Sequence, residues 1–258
     1  MLMSIHVTMH YRFANPNIAF LALEAARTDG QTILSESLST GDAELTRIAG
    51  DADIGERIWA RIPGEDLKLD YKATLEITRP APALQTLKAA PLPEIPAEPA
   101  PYLRPSRYCQ SDKFTAFVGK RFGNLEGGAK VAAIRDWIED ELDYVPGSSD
   151  ADTNVLETFA GRQGVCRDYA HLFCTMVRAA EIPARCVAVY GPDVTPQDFH
   201  AVGQVWLDGA WHLVDPTGMC TADALAVVAV GRDAYDIAFL GSQAPAELIE
   251  QTVNVTRG

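Results

Sequence analysis

Residues 161–180 read GRQGVCRDYAHLFCTMVRAA. Gly161 and Gly164 break the chain, and beyond them Cys166, Ala170, Phe173, Cys174 and Val177 recur at helical spacing. The spacing predicts a helix from about Cys166 to Ala180, with Cys166 at or next to its first position. The partial positive charge of a helix N-terminus favours a thiolate over a thiol, so position alone would activate this residue. Most free cysteines are small buried hydrophobes. Cys174 (mid-helix), Cys186 (in an apolar strand) and Cys220 take that plainer reading, and Cys109 in the loop 106–111 stays open.

Downstream the period changes to that of strands, over Cys186–Tyr190, His200–Leu207 and Trp211–Asp215. Asp208-Gly209 is a signal for a two-residue type I′ hairpin turn. With such a turn Leu207 faces Ala210, Val202 faces Asp215 and His200 faces Thr217. Asp215 then lies diagonally across from His200 on the same face, about 7–8 Å away at the backbone and within reach of long side chains. His212 opposes Val205 on the other face. A three-residue turn would move Asp215 away from His200, so the pairing hangs on the turn. A thiolate nucleophile needs an imidazole, and the imidazole needs an orienting group. Cys166, His200 and Asp215 are the candidates for these roles. His171, five residues after Cys166, is a rival base whose place on the helix flank suits a structural role.

Upstream, Val131, Ile134, Ile138 and Leu142, with Trp137, form an amphipathic helix that stops before Pro146-Gly147. Asn154 and Glu157 have capping-box spacing for a short helix through Phe159. Helices followed by antiparallel strands indicate an α+β domain. Prolines 80, 82, 91, 93, 96, 99, 101 and 105 are half of the chain's 16. A donor-less residue with fixed φ at that density reads as a stiff extended linker, either free or pinned across the domains. Before it, alternation over Ser4–Phe13, Ile18–Ala26, Thr32–Leu38, Arg57–Ile62 and Leu67–Thr78 suggests a β-sandwich, with turn signals at Asn15-Pro16, Asp29-Gly30, Gly41-Asp42 and Pro63-Gly64. The expected organisation is a sandwich over 1–80, a linker over 81–104 and an α+β domain over 105–258.

The 258 residues are 47% hydrophobic and 22% charged, an ordinary globular balance with enough chain for a sizeable core. A net charge of −13 argues against nucleic-acid binding and against docking on anionic lipid. The apolar run 224–230 is too short to span a membrane, and the N-terminus lacks a secretion-signal pattern. Five cysteines without CxxC spacing indicate neither a disulfide framework nor a zinc knuckle, so a reducing cytoplasm is the expected compartment. Asp150 and Asp152 lack the spacing of a calcium loop. No cofactor or metal is expected.

The segments 161–172, Ile182-Pro183-Ala184-Arg185, Phe199-His200-Ala201 and Trp211–Thr217 together resemble the transglutaminase-like superfamily, most closely its bacterial members labelled cysteine proteases. The likeness covers about residues 104–241. Arg107-Tyr108-Cys109 and Gly231-Arg232-Asp233 with Asp236 look like recurring segments of those proteins, the latter structural rather than catalytic, and the N-terminal region is similar, less closely, to the β-domain that precedes their core. The linker is longer than the family pattern. The resemblance implies a papain/transglutaminase-like fold with an antiparallel sheet. It implies Cys166 as nucleophile, His200 as general base and acid, and Asp215 as the group that orients it. It also implies an acyl-enzyme formed on a peptide or protein amide. Hydrolysis is the favoured outcome, with acyl transfer to amines second and a non-catalytic binding module third. The Cys166 backbone N–H would hold the oxyanion with one further donor, for which Gln163 is a neighbour in sequence only. Oligomeric state is not legible.

Overall fold

The structure, a computed structural model, describes residues 1–14 and 17–258, so the turn expected at Asn15-Pro16 lies outside the described residues. Strand β1 (Leu2–Phe13) shows why the N-terminal part is a sheet protein: Met3, Ile5, Val7, Met9, Tyr11 and Phe13 are all buried, at a strict period of two. It pairs antiparallel with β6 (Asp66–Ile77), which pairs in turn with β3 (Gln31–Ser39). A second sheet holds β2 (Asn17–Leu21), β5 (Glu56–Ile62) and β4 (Glu44–Ala49). The apolar sides of both sheets meet in one core that includes Leu21, Ile58, Ile62, Tyr71 and Leu75. β4 has no alternation to betray it, because almost all of it is exposed.

The chain's end departs from the expected division at residue 105. Strands β13 (Leu240–Ser242) and β14 (Ala246–Arg257) return to the sandwich, β13 beside β2 and β14 beside β1. Ile5 faces Val255 and Val7 faces Val253. The α+β unit therefore does not run to residue 258. β14 buries only Val253 and Val255 of its 12 residues, too few to mark a strand that completes a distant sheet.

The remaining sheet is wholly antiparallel, in the order β11 (Ala210–Val214), β10 (His200–Leu207), β9 (Ala184–Tyr190), β12 (Ala226–Gly231). β12 is buried at every position, so its apolar run carries no period that separates strand from helix. Helices α1 (Thr115–Phe122), α2 (Gly127–Glu141), α3 (Val155–Gly161) and α4 (Cys166–Ala179) share a core with β9 and β10. Asn154 caps α3 as expected, accepting from Leu156 N–H while Glu157 reaches back to Asn154 N–H. The chain is thus α+β with antiparallel main sheets. One short parallel pair joins β7 (Asp143–Tyr144) to β8 (Gln163–Gly164).

The two parts are sewn together. Tyr190, Ala226, Val228 and Ala229 sit in the sandwich core. The Gln31 amide donates to the carbonyls of Ala26 and Val227 and accepts from Val227 N–H, and the Tyr190 hydroxyl donates to the Leu23 carbonyl. The proline-rich segment is pinned down rather than free. Leu84 and Tyr102 are buried, the Leu87 carbonyl accepts from Gly128 N–H, and the Lys88 carbonyl accepts from Asp208 N–H at the hairpin turn. Glu98 takes hydrogen bonds from Arg185 and from the Trp211 indole.

Candidate active site

Three features of the backbone bring the candidate residues into one place. Val165 is extended and Cys166 is the first residue of α4. The turn before it is held by Asp168, whose carboxylate accepts from Val165 N–H at 2.9 Å and from the Ser149 hydroxyl at 2.5 Å. α4 lies close on β10 because Gly203 has no side chain: a Cβ there would stand 2.4 Å from the Phe173 ring. In the hairpin, Asp208 (φ 46°) and Gly209 (φ 74°) are both left-handed, as a type I′ turn requires. Leu207 faces Ala210 and Val205 faces His212, the register of a two-residue loop.

That register brings His200 and Asp215 into contact. His200 Nε2 donates to Asp215 Oδ2 at 2.9 Å, and neither side chain has any solvent exposure. Asp215 is itself fixed: Oδ1 accepts from the N–H and hydroxyl of Thr217, and Oδ2 accepts also from Cys220 N–H. Burial disfavours the charged imidazole, but the hydrogen bond and charge of Asp215, together with the Cys166 sulfur, outweigh it and hold the His200 pKa at about 10. Nδ1 of His200 is buried with no hydrogen-bond partner among the described residues, and the Cys166 sulfur is the acidic group next to the ring besides Asp215. The Cys166 sulfur also lies 3.9 Å from the Phe199 carbonyl. Of the five cysteines Cys166 alone is not buried.

Residues 118–216, which include all three candidates, match the transglutaminase-like superfamily model. A crystal structure from Cytophaga hutchinsonii described as a "Putative Cysteine Protease" is 32% identical, covers 99% of this chain and 90% of its own, and superposes with a TM-score of 0.90. This chain belongs to the transglutaminase-like superfamily. An uncharacterized protein of Mycobacterium leprae, ML0607, is 35% identical over 147 residues, 53% of this chain and 52% of that protein, so the match spans about half of that relative.

Within this superfamily core, Tyr144 is a neighbour that sequence reading did not find. It pairs with Gly164 through the β7–β8 bridge, and Val145 N–H donates to the Gly164 carbonyl at 2.9 Å. Its hydroxyl lies beside the sulfur and backbone N–H of Cys166, and burial together with the Cys166 charge pushes the phenol up. Only a two-residue strand connects these segments, too short to show as a period. Gln163, the nearest polar residue in sequence, is exposed.

The rival histidine lies elsewhere. His171 is buried, stacks on Tyr108 with ring centroids 5.1 Å apart, and accepts from Ala234 N–H through Nε2. Burial pushes its pKa down to about 3 despite the charge of Asp233, so the ring is neutral. His212 faces away from the site and contacts the Leu207 carbonyl at 3.1 Å. Cys166, His200 and Asp215 make no metal-ligand cluster among the described residues; the grouping that does is Cys109, His171 and Cys186.

Proposed function

We propose that this chain is a thiol-dependent amide hydrolase acting on peptides or proteins through Cys166, His200 and Asp215. The observation that carries the reading is the buried His200–Asp215 pair, a histidine held charged near neutrality, beside a partly exposed cysteine at a helix N-terminus. A charged imidazole favours the thiolate beside it, and the α4 N–H groups favour that charge again. The thiolate attacks the amide carbonyl, forming a C–S bond and a tetrahedral oxyanion. The Cys166 N–H and the Tyr144 hydroxyl are the donors placed to receive that oxyanion. Its collapse expels the amine, which takes its proton from His200. The neutral His200 then draws a proton from water as the water attacks the thioester, which releases the acid and restores the thiolate. Asp215 holds the ring at Nε2, leaving Nδ1 for both proton transfers.

The favoured acceptor is water, because partial exposure of Cys166 leaves the thioester open to it. The experiment is incubation with a peptide library with and without a labelled primary amine, with mass spectrometry of peptides and enzyme. Hydrolysis products and a transient acyl adduct on Cys166 without amine support the reading. Products that appear only with amine place the chain with acyl transfer, and no adduct at all places it with binding modules.

A further inference from the structure

The end of the chain returns to the sandwich, and there it grips the loop that leads into His200. That loop, 191–199, joins β9 to β10, and its last residue, Phe199, brings its carbonyl 3.9 Å from the Cys166 sulfur. Strand β14 holds the loop at successive places. The Gln251 amide donates to Asp198 Oδ1 at 2.7 Å, and Gln197 Oε1 accepts from Val255 N–H at 2.8 Å. The Arg257 guanidinium pairs with both carboxylate oxygens of Asp193. We propose that β14 positions the histidine of the active site, with Gln197 and Gln251 as the positioning residues through which it acts.

The sequence of β14 suits that task. Side chains alternate along a strand, so Gln251 and Arg257 share a face with the buried Val253 and Val255. The core-facing row thus runs out at both ends into polar side chains that reach the loop. β14 is also the outer strand of its sheet, paired only with β1, and an outer strand leaves N–H groups unpaired along its free side. Gln197 takes one of these, the N–H of Val255. The same side chain donates back to the carbonyls of Pro192 and Val194 at 3.0 and 3.1 Å. One residue therefore closes the loop on itself and ties it to the sandwich. Phe199 is held as well, its ring stacked on Phe239 with centroids 4.0 Å apart and planes within 4°.

His200 is where the loop becomes β10. Its backbone pairs with Val189, and the residues before it leave the sheet. Asp215 holds one ring nitrogen, and the backbone path through Asp198 and Phe199 sets where the other points. Asp198 lies at the site's edge, since its charge reaches the Tyr144 hydroxyl beside Cys166. Misplacing held reacting groups by about 1 Å costs about 100-fold in rate. The sandwich acquires a role in the chemistry without touching the reacting atoms. The proposal rests on the reading of Cys166 and His200 as the reacting pair.

The test is the rate of Cys166 alkylation by iodoacetamide at neutral pH in the full chain, read by peptide mapping, with urea unfolding of each variant. Gln251→Glu, which sets two carboxylates against each other, and Gln197→Ala should each slow labelling at least about 10-fold in folded protein. Adding Asp198→Asn to Gln251→Glu restores a donor–acceptor pair and the original net charge, and should return the rate to within about twofold of wild type. A merely structural contact would change unfolding and leave the folded-state rate alone. Thr252→Ala, which removes a hydroxyl that meets Thr8 on β1, should leave the rate unchanged. If His200→Ala does not slow labelling, the Cys166–His200 reading falls and this proposal with it. If His200→Ala slows labelling but Gln197→Ala or Gln251→Glu does not, this proposal alone is overturned. It is overturned equally if the paired change brings no recovery or if Thr252→Ala slows the rate as much.

Discussion

Two histidines of this chain sit beside cysteines, both buried, and their protonation is opposite. His200 is held charged up to about pH 10 and His171 is held neutral down to about pH 3. Burial acts on both in the same direction, against the imidazolium. The difference is direct contact with a carboxylate. Asp215 takes a 2.9 Å hydrogen bond from His200, whereas Asp233 acts on His171 only through space, its oxygens engaged by backbone N–H groups. Each histidine's neighbours match its state: His200 meets a partly exposed thiol, and His171 receives a backbone N–H and an aromatic ring. A buried histidine beside a cysteine is therefore not charged on that account alone; the hydrogen-bonded carboxylate decides it.

The comparison breaks most visibly in turnover. Cys166→Ala and His200→Ala should each lower peptide hydrolysis by about 10,000-fold with the fold intact by circular dichroism, while Cys109→Ala should not. Asp215→Ala should cost a smaller factor, because it removes orientation and charge rather than the reacting groups, with some loss of stability as Thr217 and Cys220 lose an acceptor. A smaller effect sharpens the site's edge: Tyr144→Phe should lower kcat by about 100-fold with KM nearly unchanged, as for loss of one oxyanion donor.

The pH responses should be opposite in the two places. Ring resonances of His200 should titrate near pH 10, and those of His171 should stay neutral until the protein unfolds in acid. His171 has a folded pKa below its unfolded value of about 6.5, so the unfolded state takes up the extra proton as pH falls. Its stabilisation is complete above about pH 6.5 and declines below it, by as much as about 1.4 kcal/mol per pH unit. In urea titrations His171→Asn should lose that part of the acid slope. His171→Ala should destabilise by about 2–4 kcal/mol through the cavity and the orphaned Ala234 N–H, with activity retained in the folded fraction. The smallest effect belongs to His212→Ala, which should leave turnover unchanged.

Much of the working half was legible because its signals are local. A glycine turn before an apolar helical stripe placed Cys166 at the start of α4, and Asp208-Gly209 determined the hairpin register that joins His200 to Asp215. The proline run excluded a central strand, but it is not simply extended: short 3-10 turns lie at Leu84–Thr86, Leu92–Glu94 and Ala100–Leu103, and Leu84, Leu87, Lys88 and Glu98 fasten it to the second unit. What stayed hidden depends on distant partners. β14 completes a sheet begun at residue 2 while burying two side chains, and Tyr144 reaches Cys166 through a two-residue strand. The buried cysteines are the same kind of case: nothing in their spacing along the chain shows that Cys174 on α4 meets Cys186 on β9, or that Cys109 and His171 gather beside Cys186.

The central claim is that Cys166 is activated by His200, and thiol reactivity measures it directly. Brief treatment with limiting iodoacetamide at neutral pH, followed by peptide mapping, should label Cys166 ahead of the four buried cysteines. That labelling should slow markedly in folded His200→Ala and remain unchanged in His212→Ala. Preferential labelling of Cys109 or Cys220, or a Cys166 rate indifferent to His200→Ala, would contradict the account.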